Sequence, residues 1–231
     1  MKPLTNLTLN KMKKQSTQMK KIILSIILFA GITSLATAQN VRLNGYAAYV
    51  FEDNVDSYYD PSNYYEGQIN GGFQWGAGLE YMVSPNKGIE IKYLRRDCIA
   101  PMDYYLNGVK HKDFEVALNH ILLGASNYFK TGGKVEPYAG AALGMSIVTL
   151  KNAEAGSDDQ ATKFAWGIKL GTNIWANDKI GIKLQADLIS VVQSAGGGLY
   201  FGTGGAGAGV STYSTMYQWV LGGGLTFKLG Q

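Results

Sequence analysis

One stretch near the end of the chain decides the fold: Tyr213 to Leu229 reads YSTMYQWVLGGGLTFKL. Its odd-numbered positions carry mainly aromatic and aliphatic side chains, among them Tyr217, Trp219 and Leu221. Its even-numbered positions are mostly small or polar, as at Gln218. Because a β-strand sends successive side chains to opposite faces, this alternation predicts a strand with one apolar and one polar face.

The same alternation recurs along most of the chain and predicts eight strands in an all-β fold. They are Val41 to Phe51, Ile69 to Val83, Ile89 to Leu94, Phe114 to Phe129, Val135 to Leu150, Phe164 to Ile174, Ile180 to Leu188 and Tyr213 to Leu229. The faces and register of Phe114 to Phe129 cannot be assigned from the alternation. After Gln39 no run of 18 apolar residues occurs, so no transmembrane helix is predicted.

The connections between these strands alternate in length. The short ones are Ser84 to Lys87, Lys130 to Lys134, and Asn177-Asp178; the long ones are Asn54 to Gly67, Asp97 to Lys112, Lys151 to Gln160, and Ser194 to Thr212. Short turns on one side and long loops on the other are typical of bacterial outer-membrane barrels, which close with an even number of antiparallel strands. The sequence therefore predicts an eight-stranded transmembrane β-barrel in the outer membrane, with short periplasmic turns and longer extracellular loops.

The N-terminal residues have the features of an export signal. Lys20-Lys21 precede an apolar run from Ile22 to Leu35, and Ala36-Thr37-Ala38 forms an A-x-A cleavage site. The sequence therefore predicts a signal peptide over residues 1–38, with Met19 as a possible true start, and a barrel domain over residues 39–231. The alternative is an anchor helix, for which the apolar run is short.

Charge and cysteine content exclude several classes of protein. The formal charge is +4, but residues 1–38 hold six of the 21 basic residues and no acid. The remaining 15 basic and 17 acidic residues give a net charge of −2, so no nucleic-acid partner is predicted. The single cysteine, Cys98, cannot form an internal disulfide. No residue pattern indicates a metal ion or another cofactor.

The polar face carries many charges, and its direction decides between two kinds of barrel. A soluble barrel would turn the apolar face inwards, but a lumen of eight strands has too little room for so many Trp, Tyr, Leu and Ile side chains. We therefore expect the polar face to line the lumen as a structural network. Its members are Arg42, Glu80, Glu90, Lys92, Glu136, Lys169, Lys183, Asp187 and Lys228. A register centred on Pro85-Asn86 places Glu80 near Lys92.

Aromatic residues cluster near the predicted strand ends, where the two interfaces of a membrane would lie. We expect contact with outer-membrane lipids there, at Tyr81, Trp166, Trp175, Tyr213, Trp219 and Phe227.

Two segments resemble a known family. Val135 to Gly144 reads VEPYAGAALG, and Trp166 to Gly171 reads WGIKLG before the hairpin into Ile180 to Asp187. These motifs resemble the small outer-membrane barrels of the OmpX and OmpA transmembrane-domain type, in the outer membrane protein beta-barrel domain family. The resemblance implies the architecture and assembly by the barrel assembly machinery, which often reads a terminal aromatic residue. Here Phe227 is followed by four further residues.

Little in the sequence points to catalysis, and no enzyme is predicted. A Ser-His pair would need His120 beside a serine on a neighbouring strand, whereas Ser126 lies on the same strand. The acidic, tyrosine-rich segment Asp53 to Glu66 is expected to be a hydrated surface loop that could contact a surface ligand. Two functions remain: a structural or surface-interaction barrel with a charge-filled lumen, or a small diffusion pore.

Overall fold

The structure is a computed structural model of the 231-residue chain. It describes residues 40–58, 64–105, 109–151, 159–196, 198–202, 205–209 and 216–230. The predicted signal peptide, residues 1–38, lies outside the described residues. Within the described part of the chain, no helix is long and apolar enough to cross a membrane.

The described residues form twelve strands. They are β1 (Val41–Val50), β2 (Asp53–Tyr58), β3 (Tyr64–Ile69), β4 (Gly72–Ser84), β5 (Lys87–Tyr105), β6 (Val109–Tyr128), β7 (Val135–Lys151), β8 (Asp159–Trp175), β9 (Ile180–Gly196), β10 (Gly198–Gly202), β11 (Gly205–Gly209) and β12 (Met216–Leu229).

Eight of these strands close a barrel. Going round it, the order is β1, β4, β5, β6, β7, β8, β9 and β12, and β12 returns to β1. The paired neighbours with a described register are antiparallel. The prediction of a closed eight-stranded antiparallel barrel is confirmed. At one end, which we call the turn end, short connections join the strands, and Gly132 in one of them has a left-handed φ of 77°.

The other end, the loop end, contains more strand than the sequence predicted. The segment Asn54 to Gly67, predicted as a loop, is largely the β2–β3 hairpin, and β3 pairs with β5 from Tyr65–Tyr104 to Gly67–Met102. Likewise, most of Asp97 to Lys112 belongs to β5 and β6, which pair as far as Tyr105 and Val109. β10 and β11 form a separate two-stranded sheet in the last predicted loop. The sequence analysis missed these strands because their residues do not continue the regular apolar–polar alternation of the other strands.

The faces of the strands change character along their length. Near the turn end, Ile89 and Ile91 are exposed on the outside, while Glu90 is buried inside. Further along the same strand, Arg95 and Asp97 are outside and paired with each other, while Ala100 is buried inside. On this strand, charged side chains therefore change from the inner face near the turn end to the outer face further along, where Ile99 is exposed beside them.

This reversal also explains β6, whose faces the sequence left unassigned. Near the turn end its exposed outer face includes Ile121 and Leu123, as on the other strands. Near the loop end, Glu115 is exposed outside, while Phe114 and Val116 are buried inside. No single rule, such as apolar side chains outside, therefore holds along the whole of β6.

Candidate functional site: the barrel lumen

The lumen at the turn end is organised around Glu136. Both of its oxygens accept hydrogen bonds from the Arg42 guanidinium, at 3.0 and 3.3 Å. Asn173 Nδ2 and Trp175 Nε1 donate to Glu136 Oε2 at 3.0 and 3.3 Å. Two parallel bonds from arginine to a carboxylate are strong and fix orientation, so this group ties β1, β7 and β8 together.

Glu90 forms a second centre in the next part of the lumen. Its Oε2 accepts a hydrogen bond from Lys169 Nζ at 2.8 Å, across the barrel from β8. Its Oε1 accepts from Asn44 Nδ2 at 2.8 Å and from the hydroxyl of Tyr46. The carboxylate is therefore held from three sides while almost fully buried.

A third group joins β5 and β9. Lys92 Nζ lies 3.5 Å from Asp187 Oδ1, and Gln185 Nε2 donates to the other oxygen of this carboxylate. Tyr138 completes the group by donating to Gln185 Oε1 at 2.8 Å. Lys183 Nζ has no hydrogen-bond partner among the described residues, but it lies 4.6 Å from the centre of the Tyr138 ring, where a cation–π contact is favourable.

The predicted pair Glu80–Lys92 does not form. A β-bulge between Met82 and Ser84 shifts the register by one residue, so Glu80 lies opposite Glu90 and Lys92 lies opposite Gly78. Glu80 instead accepts hydrogen bonds from Tyr128 Oη and from Asn44 Nδ2. The turn sequence alone does not reveal such a bulge.

The predicted network residues lie as follows. Eight of the nine are buried inside the barrel: Arg42, Glu80, Glu90, Lys92, Glu136, Lys169, Lys183 and Asp187. The ninth, Lys228, is half-buried at the turn end, with Nζ 3.9 Å from the centre of the Trp175 ring.

The predicted interface aromatics divide into four groups. Tyr81 and Trp219 are exposed on the outer face, and Trp166 and Phe227 are half-buried. The prediction for Trp175 is wrong, because it is only 8% exposed and hydrogen-bonded to Glu136 inside the lumen. Because Ile174 points outwards and successive side chains of a strand alternate, Trp175 points inwards. Tyr213 lies outside the described residues.

The loop end of the lumen is mainly apolar, with Lys163 of β8 also buried there, and the sequence did not predict this. A buried cluster fills it, comprising Ile69, Ala100, Phe114, Val116, Leu118, Leu122, Ala142, Val148, Leu150, Ala161, Ala165, Val191 and Met216. A second, smaller cluster lies closer to the charged groups and includes Leu94, Ile189 and Val220. The signal was present in the alternation of Phe114, Val116 and Leu118, but the polarity reversal obscured it.

A band of buried polar side chains separates the charged groups from the apolar loop end. Gln74 and Arg96 lie directly opposite each other on β4 and β5, and His120 and Gln218 face the lumen from β6 and β12. The sequence analysis missed Arg96 because the third strand was predicted to end at Leu94. Continuing its alternation by one step would have placed Arg96 inside.

His120 has a serine as its cross-strand neighbour. It lies opposite Ser146 on β7, and both side chains are fully buried with no hydrogen bond between them. A catalytic pair needs a bond between serine and histidine and access for a substrate. This pair has neither. The described residues also contain no group of three or more His, Cys, Asp or Glu side chains that could hold a metal ion.

Comparisons with solved structures match this architecture. The barrel is similar to Neisserial surface protein A, at 16% identity over 81% of this chain and 96% of that one, with a TM-score of 0.54. It is also similar to the outer membrane protein OprG from Pseudomonas aeruginosa, at 16% identity over 84% and 97% of the two chains, with a TM-score of 0.55.

The fold is that of a small outer-membrane β-barrel. The predicted resemblance to the OmpX and OmpA type is therefore confirmed for the fold. No model of a known protein family matches the sequence. No curated protein matches it either.

Proposed function

We propose that this chain is an outer-membrane barrel with a sealed lumen, and that its role is structural or one of surface interaction. The observation that carries the proposal is the double closure of the lumen. Hydrogen-bonded charged groups fill it from the turn end to Lys92 and Asp187, and an apolar cluster fills it at the loop end. An interior of eight strands is just wide enough for side chains to fill.

The outer surface supports a position in a membrane. Large apolar side chains are exposed on the outside of the wall, among them Leu79, Ile91, Leu143, Leu170, Leu184, Trp219 and Leu221. Such a surface is typical of a face turned to lipid. Closer to the loop end, Arg95, Asp97 and Glu115 place charges on the outer face of β5 and β6, which fits the point where these two strands enter water.

The strand extensions at the loop end supply the surface for an interaction. Their outer face carries both signs of charge in exposed pairs, including Lys151–Glu115 at 3.0 Å and His111–Asp103 at 2.7 Å. A sealed lumen leaves this surface as the part of the molecule that can meet an external partner. The buried position of His120 and Ser146 supports a role without catalysis.

Single-channel recording in planar bilayers tests the proposal. We expect no steady conductance from the wild-type protein. Because two layers close the lumen, the lumen should stay closed in the double variant Lys92→Ala with Asp187→Ala. It should also stay closed in the single variant Phe114→Ala. Combining the three changes should produce brief openings, while the exposed pair Lys151→Ala with Glu115→Ala serves as the control. A stable, large wild-type conductance would establish the alternative, a small diffusion pore.

A further inference from the structure

Arg96 is the most unusual residue of the lumen. Its side chain is only 1% exposed, yet Nε and both terminal nitrogens have no hydrogen-bond partner among the described residues. A guanidinium carries five N–H donors and stays charged in proteins. Leaving a guanidinium buried and unbonded is costly, so its donors favour an accepting group at this position.

The acids of the lumen do not supply that group. Glu80, Glu90, Glu136 and Asp187 already accept hydrogen bonds from other side chains closer to the turn end. Asp53 at the loop end is within electrostatic range of Arg96. However, it is half-buried and accepts a hydrogen bond from the Tyr217 backbone N–H at 2.9 Å, and it forms no ion pair with Arg96.

The neighbours of Arg96 are also polar and unsatisfied. Gln74 lies opposite it with Nε2 unbonded. His120 is within electrostatic range of Arg96 and lies against Gln218, and this one mutual contact leaves most polar atoms of the two side chains without a partner in the described ranges. Donors therefore outnumber acceptors in this band, and the sum of the charges is positive.

Apolar residues enclose the band on both sides. Along β6, His120 lies between Leu118 and Leu122, and along β12, Gln218 lies between Met216 and Val220. An enclosed set of unbonded donors around a full positive charge is suited to an anion, because the low local polarity strengthens each hydrogen bond.

We propose that Arg96, with Gln74, His120 and Gln218, binds one small monovalent anion of about the size of chloride. A single charge matches the one guanidinium. Small size follows from the enclosure, because buried apolar side chains bound the band on both sides. The anion would neutralise Arg96 and anchor the boundary between the charged and apolar parts of the lumen.

Bromide, a heavier halide, tests the site directly. Crystals of the wild-type protein grown with bromide should give an anomalous peak beside the Arg96 guanidinium and within reach of Gln74. A map that shows only water at this position overturns the proposal. This measurement needs no variant and therefore does not depend on whether a substituted barrel folds.

Thermal unfolding in detergent tests the same site in solution. At constant ionic strength, replacing gluconate with chloride should raise the wild-type Tm with the logarithm of the chloride concentration, because chloride binds only the folded state. Arg96→Lys should weaken the apparent chloride affinity at least about tenfold, since the charge remains but the guanidinium donors are lost.

The neighbouring residue provides a matched control. Arg95 points outwards and pairs with Asp97 at 2.8 Å, so Arg95→Lys should keep the wild-type response to chloride. Equal responses of the wild type and Arg96→Lys would show that chloride acts elsewhere, and the absence of any response in the wild type would also refute the site. A sealed lumen does not require the anion, so this test can fail while that of the proposed function succeeds.

Discussion

Lys169 Nζ donates a hydrogen bond to Glu90 Oε2 at 2.8 Å, joining β8 to β5 across the interior of the barrel. Both side chains are almost fully buried. The pair therefore acts as a strut between two parts of the wall that do not touch through backbone hydrogen bonds.

Removing one member of this pair should destabilise the barrel strongly. Lys169→Met leaves the Glu90 carboxylate buried without its cation, a change that costs about 3–5 kcal/mol in a desolvated site. The double variant Lys169→Met with Glu90→Gln should recover part of that loss, because the carboxylate that lost its cation is then replaced by a neutral amide. Urea unfolding in lipid vesicles measures the coupling energy, which we expect to be about 1–3 kcal/mol.

The exposed pair Lys151–Glu115 is the control for this cycle, because it has the same chemistry and a similar distance of 3.0 Å. Its coupling should be below about 1 kcal/mol, as for surface pairs generally. Equal coupling energies at the two sites would contradict the view that burial gives the Lys169–Glu90 pair its strength.

The outer face near Leu184 should be intolerant of charge. Leu184 is exposed on the apolar part of the wall. Leu184→Arg should cost about 2–4 kcal/mol of unfolding free energy if the residue lies near the bilayer midplane. Thr162→Arg, on the outer face closer to the loop end, is the control and should change stability little. A tolerated arginine at position 184 would argue against lipid contact there.

Much of the fold could be predicted because period-two alternation is strong wherever one face meets lipid. Where charged side chains change from the inner to the outer face, the same alternation misleads. On β6, Glu115 points outwards and Phe114 inwards. On β5 near the turn end, the charged Glu90 points inwards and the apolar Ile89 outwards. The side-chain partners across neighbouring strands were harder still to predict from the sequence. The bulge after Met82 moved Glu80 away from Lys92, and such a one-residue shift depends on backbone geometry rather than composition.

His111 should titrate above the usual range for histidine. It is exposed on the β6 extension, and its hydrogen bond to Asp103, with further attraction from Asp103 and Asp113, raises its pKa. The raised pKa means that this contact stabilises the hairpin fully below the ordinary histidine pKa and is lost as pH rises through the folded value.

Proton NMR of the folded protein measures this pKa, with His111→Gln identifying the resonance. Asp103→Asn should lower the His111 pKa towards its ordinary value, because the carboxylate no longer stabilises the charged ring. An unchanged titration in Asp103→Asn would show that this contact does not control His111.

Export should remove residues 1–38. Strand β1 begins at Val41, so cleavage after Ala38 would leave the first strand intact. Intact mass of the protein extracted from the outer-membrane fraction should correspond to a chain starting at Gln39. Ala38→Arg should block cleavage, whereas Asn40→Ser, outside the A-x-A site, should not. A mass that includes Ile22 to Leu35 in the wild type would instead indicate an anchor helix.

Closure of the barrel between its last and first strands depends on Gly224. A Cβ atom at this position would lie 1.7 Å from the backbone oxygen of Gly45 on β1, and backbone cannot move aside as a flexible side chain can. Gly224→Ala should therefore force β12 away from β1 and reduce the folded fraction, with an expected loss of at least about 1–3 kcal/mol, the range for overpacking.

Gly45 gives the matched control at the same seam. A Cβ atom there has nothing within 4 Å, so Gly45→Ala should assemble like the wild type. The measurement is the fraction of barrel that keeps its compact mobility in unheated detergent gels, followed by urea unfolding of that fraction. The two substitutions add the same methyl group on adjacent strands, so any general effect of replacing glycine with alanine cancels. Equal folded fractions for the two variants would show that the approach of Gly224 to Gly45 does not limit closure.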